Sequence, residues 1–230
     1  MLGRIVRMQI LFLSIGLLLS VPCFAQMDLS GEWGQKVHED APERGAGPDI
    51  GDYTGLPIND RARMQADSWD AAKWLLPEHQ CEPHPADYSV RGPGSMRIWA
   101  DIDPLTQQIT AWHTAIMWMN PERTIYMDGR AHPAEYAPHT WGGFSTGQWV
   151  ADMLKVETTH LKEGWLRRNG LPRSEKATMT EYFIRHGDYF TSYSNLSSTS
   201  VKKGNKVKKM YIKDTTLFIN TNSFSLIFSA

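Results

Sequence analysis

The sequence predicts a mainly β protein, an antiparallel barrel or strongly curved sheet with one short N-terminal helix and long loops. Three observations predict it. Five runs, Met96 to Ile102, Ile109 to Met119, Arg123 to Met127, Met153 to His160 and Thr178 to His186, alternate with period two and are rich in Ile, Val, Thr, Trp, Tyr and Met. Turn signals separate them at Asp103-Pro104, Asn120-Pro121, Asp128-Gly129 and His186-Gly187-Asp188. No helix of crossover length stands between successive runs, which removes a parallel-sheet reading, and the short connections between the first three make those neighbours antiparallel.

Taken in order, the chain opens on the three-part pattern of a secretory signal peptide. Arg4 and Arg7 give a positive start, Ile10 to Val21 is a nearly unbroken apolar run, and Cys23-Phe24-Ala25 supplies a cleavage site before Gln26. A lipoprotein site at Cys23 is the alternative, but Ser20-Val21-Pro22 lacks the residues such a site wants. The apolar run is too short to span a bilayer comfortably and no later segment is long and apolar enough, so no membrane span is expected and the mature protein is read as periplasmic or secreted. Roughly 200 residues remain after cleavage, enough for one substantial domain. Residues 26–95 read as a loop-rich segment with one helix, 96–191 as the antiparallel β core, and 192–230 as an atypical tail.

From Lys36 to Leu56 glycine, proline and charge dominate without a period. A helix follows, capped by Asn59 or Asp60, with Ala62, Ala66, Trp69 and Ala72 on one face up to about Trp74. Pro77, Pro83, Pro85 and Pro93 then forbid regular structure until about Ser95. A net charge of −1 and a pI near 6.7 argue against a nucleic-acid partner. Cys23 leaves with the signal, so Cys81 has no intramolecular partner; it reads first as a buried thiol, then as a metal ligand or an intermolecular hook.

At Arg123 to Leu154 the sequence resembles a family of exported bacterial proteins of uncharacterised activity. The resemblance rests on Asp128-Gly129-Arg130-Ala131-His132-Pro133, on Trp141-Gly142-Gly143-Phe144-Ser145-Thr146-Gly147-Gln148-Trp149 and on Asp152-Met153-Leu154, with Asp28-Leu29-Ser30-Gly31-Glu32-Trp33 matching the family's opening. It covers roughly residues 28 to 190 and implies a lipocalin-like β-barrel. Val150-Ala151 stands where the family has an acidic residue and glycine, which puts the tightness of that hairpin in doubt. The pattern stops after Tyr189-Phe190-Thr191, and the following Ser, Lys and Asn, with six lysines against one acid, replace the family's partner strand. A frameshift or joining error in the gene, or a divergent tail, would each produce the break. The expectation is that residues 194 to 210 have little regular structure and few contacts, leaving an unpaired barrel edge that Leu217 to Phe228 can cover only opportunistically.

Three chemistries compete. Gly143-Phe144-Ser145-Thr146-Gly147 matches a nucleophile elbow, but no helix follows the serine, so Ser145 is expected in a loop or hairpin away from any histidine and the glycines serve turns. His79, Cys81 and His84 lie within six residues, and with His113, His132, His139, His160 or the Met117 and Met119 thioethers they offer ligands for a metal. The prolines make that segment a stiff connector instead, and neither a metal nor another cofactor is expected. The third is a ligand pocket. Nine tryptophans, with Trp112 and Trp118 on one face of a strand, suit an apolar, aromatic or sugar-like small molecule. His113, Arg123 and Glu181 each interrupt a β-rich run and are the candidate polar anchors, an Arg123–Glu181 ion pair joining two strands being the structural alternative. The sequence therefore points to a small-molecule binding module. The runner-up is a hydrolase or lyase-type enzyme in the same cavity, with His113 or His160 as base and Glu181 or Arg123 as electrostatic partner.

Overall fold

The computed structural model describes residues 27–35, 51–53, 58–88, 94–117, 122–166, 170–199 and 209–220. The expected signal peptide, the loop at 36–50 and Trp118 lie outside the described residues. Nine strands form one sheet: β1 (Gly31–Gln35), β2 (Met96–Ile102), β3 (Ile109–Ile116), β4 (Arg123–Tyr126), β5 (Phe144–Val150), β6 (Met153–Thr159), β9 (Thr178–His186), β10 (Tyr189–Thr199) and β11 (Lys209–Asn220). They hydrogen-bond in the order β1-β11-β10-β9-β6-β5-β4-β3-β2 and close into a lipocalin-like barrel, because β1 pairs with both β11 and β2. All pairings are antiparallel except β4 with β5. Between β6 and β9, β7 (Gly164–Trp165) and β8 (Pro172–Arg173) make a separate two-stranded ribbon.

β2 and β9 occupy the ranges that alternation predicts, and β3, β4 and β6 begin at the predicted residues. Antiparallel β2–β3 and β3–β4 pairs form the expected meander. It does not continue through Asp128-Gly129. Gly129 takes a φ of 72°, but the chain runs on through residues 130–143 and enters β5 parallel to β4. That segment crosses one end of the sheet to the other instead of folding back.

Two further expectations are corrected, for the turn at Ala151 and for the tail, and one is met. Ser145 lies in a hairpin as expected, within its first strand, since β5 pairs with β6 along its whole length from Phe144↔Thr159 to Val150↔Met153. The doubtful hairpin is tight: Ala151 and Asp152 alone connect the two strands, with Ala151 at a φ of 55°. The described residues of the tail, up to Thr199 and from Lys209 to Asn220, are also strand. β10 pairs with β9 from Tyr189↔His186 to Ser197↔Thr178 and with β11 from Tyr189↔Ile219 to Thr199↔Lys209. The break in composition at Thr191 thus falls inside a strand, and the expected open edge is closed by β11 against β1.

Helix α1 (Asp60–Asp67) is shorter than predicted. Asn59 caps it through its side-chain oxygen on the Ala62 amide at 2.7 Å, and Ala62 and Ala66 are buried as expected. It ends at Ser68; Trp69 is buried beyond it, and a 3-10 turn at Ala71–Leu75 leaves Ala72 exposed. The barrel core comprises Leu29, Trp33, Met96, Ile98, Trp112, Ile116, Ile125, Leu154, Val156, Phe183 and Phe190. A second cluster, including Ala66 of α1, Leu161, Leu166, Leu171, Met179 and Leu196, covers the barrel end opposite the turn at Gly187-Asp188. Arg173, fully buried, pairs there with Asp87 at 3.3 Å. Among the described residues no helix is long and apolar enough to cross a membrane.

Candidate functional site

Alternation decides what the barrel interior contains. Side chains two apart on a strand share a face, so Trp112 and Thr114 of β3, Arg123 and Ile125 of β4, Ser145 and Gly147 of β5, Val156 and Thr158 of β6, Glu181 and Phe183 of β9, and Ser192 and Ser194 of β10 all turn inward and are buried. The predicted ion pair is present: Arg123 Nη2 lies 2.5 Å from Glu181 Oε2, with both side chains essentially removed from solvent. Its angles fall short of a well-formed hydrogen bond, so it is a charge contact first. Arg123 also donates from Nε to Ser145 Oγ at 2.9 Å and from Nη2 to Thr158 Oγ1 at 2.5 Å, and Ser194 donates to Glu181 Oε1 at 3.4 Å. Ser145 and Thr158 are themselves 2.9 Å apart.

This cluster leaves donors over. A guanidinium carries five N–H groups in a rigid fork. Among the described residues, Arg123 Nη1, Thr114 Oγ1, Ser192 Oγ and the indole nitrogens of Trp112 and Trp149 are buried without a hydrogen-bond partner. Thr114 stands directly opposite Arg123 in the β3–β4 register and Trp112 opposite Ile125, so three of these groups lie along one inner stripe.

His113 does not join them. One residue from Trp112, it faces outward, where it stacks on Trp99 with ring centroids 5.2 Å apart and contacts Asp101 Oδ2 at 2.8 Å and Thr124 Oγ1 at 3.2 Å. Of the five sequence-predicted site residues, Trp112, Arg123 and Glu181 share the interior, His113 is on the outer wall, and Trp118 lies outside the described residues. His160 is likewise on the outer side, so neither candidate base accompanies Glu181.

His132 and His160 fasten the crossover. His132 places Nδ1 2.7 Å from Thr159 Oγ1 and Nε2 2.9 Å from Thr146 Oγ1, while His160 places Nδ1 2.7 Å from the same Thr159 oxygen and Nε2 2.9 Å from the Ala134 carbonyl. A carbonyl only accepts, so neutral His160 carries its proton on Nε2 and accepts at Nδ1 from Thr159. Thr159 then accepts from His132 Nδ1, whose Nε2 accepts from Thr146. The chain of bonds has a single consistent direction, and burial pushes the His132 pKa below its usual 6.5. At the start of the crossover, Arg130 grips Asp128 with its Nε and Nη2 and holds that carboxyl down to about 2. The Asp-Gly-Arg-x-His-Pro segment is thus an anchoring device.

The competing motifs resolve in the same way. Gly143 has a φ of 67°, and a Cβ there would meet the Thr159 carbonyl at 2.7 Å; a Cβ on Gly147 would meet Met127 Sδ at 2.6 Å. The elbow-like spacing therefore reflects a turn at the first glycine and close packing at the second, with Ser145 bound to Arg123 and Thr158. His79 contacts Glu82 at 3.1 Å, and the His84 ring packs on Tyr88. Cys81 is exposed rather than buried, at a φ of 60° on a turn between Pro77 and Pro83. Among the described residues no three His, Cys, Asp or Glu side chains are placed to hold a metal ion.

Alternation alone did not flag Thr114, Ser145, Thr158, Ser192 and Ser194, although each hydroxyl falls in the inward phase of its strand. No protein-family model, curated protein or solved structure matches this chain.

Proposed function

We propose that this is an exported binding protein for a small organic molecule, held inside the barrel by Trp112 and Arg123 with Thr114 beside them. One observation carries the reading: buried donors on one inner stripe of a closed barrel lack partners from the described residues. An unpaired buried polar group costs about 1–3 kcal/mol, so a fold that keeps several of them on one stripe is shaped for a partner from outside the chain. The surrounding Trp33, Ile98, Ile125, Phe183 and Phe190 supply apolar and aromatic contact for the rest of such a molecule. The N-terminal pattern and the resemblance to exported bacterial proteins support the location. The outward placement of His113 separates that candidate base from the interior Glu181–Arg123 pair, which favours binding over the hydrolase or lyase alternative.

Native mass spectrometry of the protein purified from its host tests this. A reproducible mass increment, released on denaturation and identified as an organic molecule, is the expected result. Protein that carries no increment and shows no heat on titration with apolar and aromatic compounds refutes it.

A further inference from the structure

The interior also specifies what kind of molecule fits, given the binding role just proposed, on which this inference rests. We infer that the site takes a neutral ligand presenting a hydrogen-bond acceptor, such as a ketone, ester or amide carbonyl on a flat apolar body, and excludes carboxylates and other anions.

Charge is the first argument. An arginine inside a barrel ordinarily suggests an anionic ligand, because a lone buried guanidinium attracts a carboxylate or phosphate. Here Glu181 already occupies that role at 2.5 Å. The pair sums to zero, and an arriving anion would be a second negative charge against one guanidinium, stripped of water and set beside the Glu181 carboxylate. Nη1 of Arg123 can still donate, but to a group that carries no charge of its own.

Hydrogen-bond polarity is the second. Arg123 Nη1, Trp112 Nε1 and Trp149 Nε1 are donors only, and the hydroxyls of Thr114 and Ser192 can donate. On the acceptor side, Glu181 Oε1 accepts from Ser194, while Oε2 has no hydrogen bond and is held by the charge of Arg123 at 2.5 Å. Among the described residues around this stripe, three donor-only atoms stand against the single acceptor Glu181 Oε2, so the complementary molecule supplies acceptors. Position is the third argument: Thr114 faces Arg123 in the register, Trp112 is two residues along the same strand face, and Ile125 lies opposite Trp112. A carbonyl oxygen aimed at this stripe leaves its apolar portion against Trp33, Phe183 and Phe190 of the core.

Three probes of nearly one shape separate charge, acceptor and bulk: acetophenone, benzoate and ethylbenzene, titrated by calorimetry into the full secreted chain at neutral pH. Acetophenone is expected to bind at least tenfold tighter than either of the others. Benzoate binding should strengthen as pH falls and the free acid forms. Thr114→Val, which keeps the shape and removes one donor, should weaken acetophenone several-fold and leave ethylbenzene unchanged. Benzoate tighter than acetophenone at neutral pH overturns the inference while leaving the binding role intact. Ethylbenzene equal to acetophenone, or indifference of both to Thr114→Val, also overturns it. Failure of all three probes to bind overturns the inference together with the reading beneath it.

Discussion

Removing one charge of the Arg123–Glu181 pair should be far more damaging than removing both. Neither side chain reaches solvent, with side-chain exposures of 2% and 0%, so a survivor stays buried or the barrel must open to hydrate it. Unit charges about 4 Å apart at an effective dielectric of about 20 attract by about 4 kcal/mol, and breaking a buried pair costs about 3–5 kcal/mol in practice. Glu181→Leu strands the guanidinium and should fall in that range. Arg123→Met strands the carboxylate and also deprives Ser145 and Thr158 of a donor, but these two hydroxyls are 2.9 Å apart and can satisfy each other, which limits the additional loss to about 1 kcal/mol. In the double variant, apolar groups of similar volume replace both charges, an exchange that is often neutral.

The expected coupling is therefore about 3 kcal/mol or more, read from urea midpoints of the two single variants, the double variant and the wild type with an unchanged slope. In thermal melts each single variant should lose about 6–20 °C, at about 2–4 °C per kcal/mol for a domain of this size. Additive single effects, or singles that cost under about 1 kcal/mol, would refute the claim that the pair is buried and mutually dependent. A double variant that recovers stability but not ligand binding would separate the structural role of the pair from its role in the site.

Three other changes probe the scaffold. Ala151→Gly should stabilise the protein by about 0.5–1 kcal/mol in urea, because the left-handed φ of 55° in the two-residue β5–β6 turn strains alanine by about 1–2 kcal/mol and glycine returns part of that as chain entropy. Gly170→Ala should cost about 3 kcal/mol or more, since its Cβ would lie 2.2 Å from the Trp69 Cβ at a φ of 78°; a changed tryptophan emission should report the loss of the Trp69–Trp165 contact, now 4.4 Å between centroids. His132 has a folded pKa below its unfolded 6.5, so the stability it permits is complete above about pH 6.5 and is lost as pH falls and the buried ring must charge. His132→Gln should flatten the fall in urea midpoint between about pH 8 and about pH 5, and an unchanged slope would show that the ring does not control it.

Much of the barrel is legible because its strands advertise themselves. Met96–Ile102 and Thr178–His186 alternate cleanly and end at turn residues, and an inward phase interrupted by Arg123 and Glu181 is enough to raise an ion pair between them. His113 fails as an anchor for a reason also present in the sequence: adjacent residues on a strand face opposite ways, so Trp112 and His113 could not both line one cavity. β5 is harder. Phe144–Val150 holds a serine and a glycine and follows directly on Gly142-Gly143, residues that normally mark turns, and only the proximity of Met127, Ile125 and Leu154 explains why the strand needs a glycine at 147. The parallel entry of β5 is invisible locally because it depends on a crossover held by histidine–threonine bonds to residues that follow it in the chain.

The tail shows most directly how composition can mislead about a barrel. Its weak hydrophobicity argues for disorder only if the interior it faces is apolar. The inward positions of β10 are Phe190, Ser192, Ser194 and Leu196, all buried, and the two serines stand opposite Phe183 and Glu181 of β9. A wall built around a buried carboxylate and guanidinium requires small hydroxyl side chains, and Ser194 donates to Glu181 where a leucine would have left that oxygen short of a partner. The outward residues are free to be polar, and the register carries the strand without interruption from Tyr189 to Ser197 against β9 and to Thr199 against β11. With β11 set between β10 and β1 the sheet has no free edge, and closure satisfies backbone groups that an open barrel would expose. The serine-rich sequence that reads as the end of the pattern is, on this wall, the polar lining that the Arg123–Glu181 cluster demands.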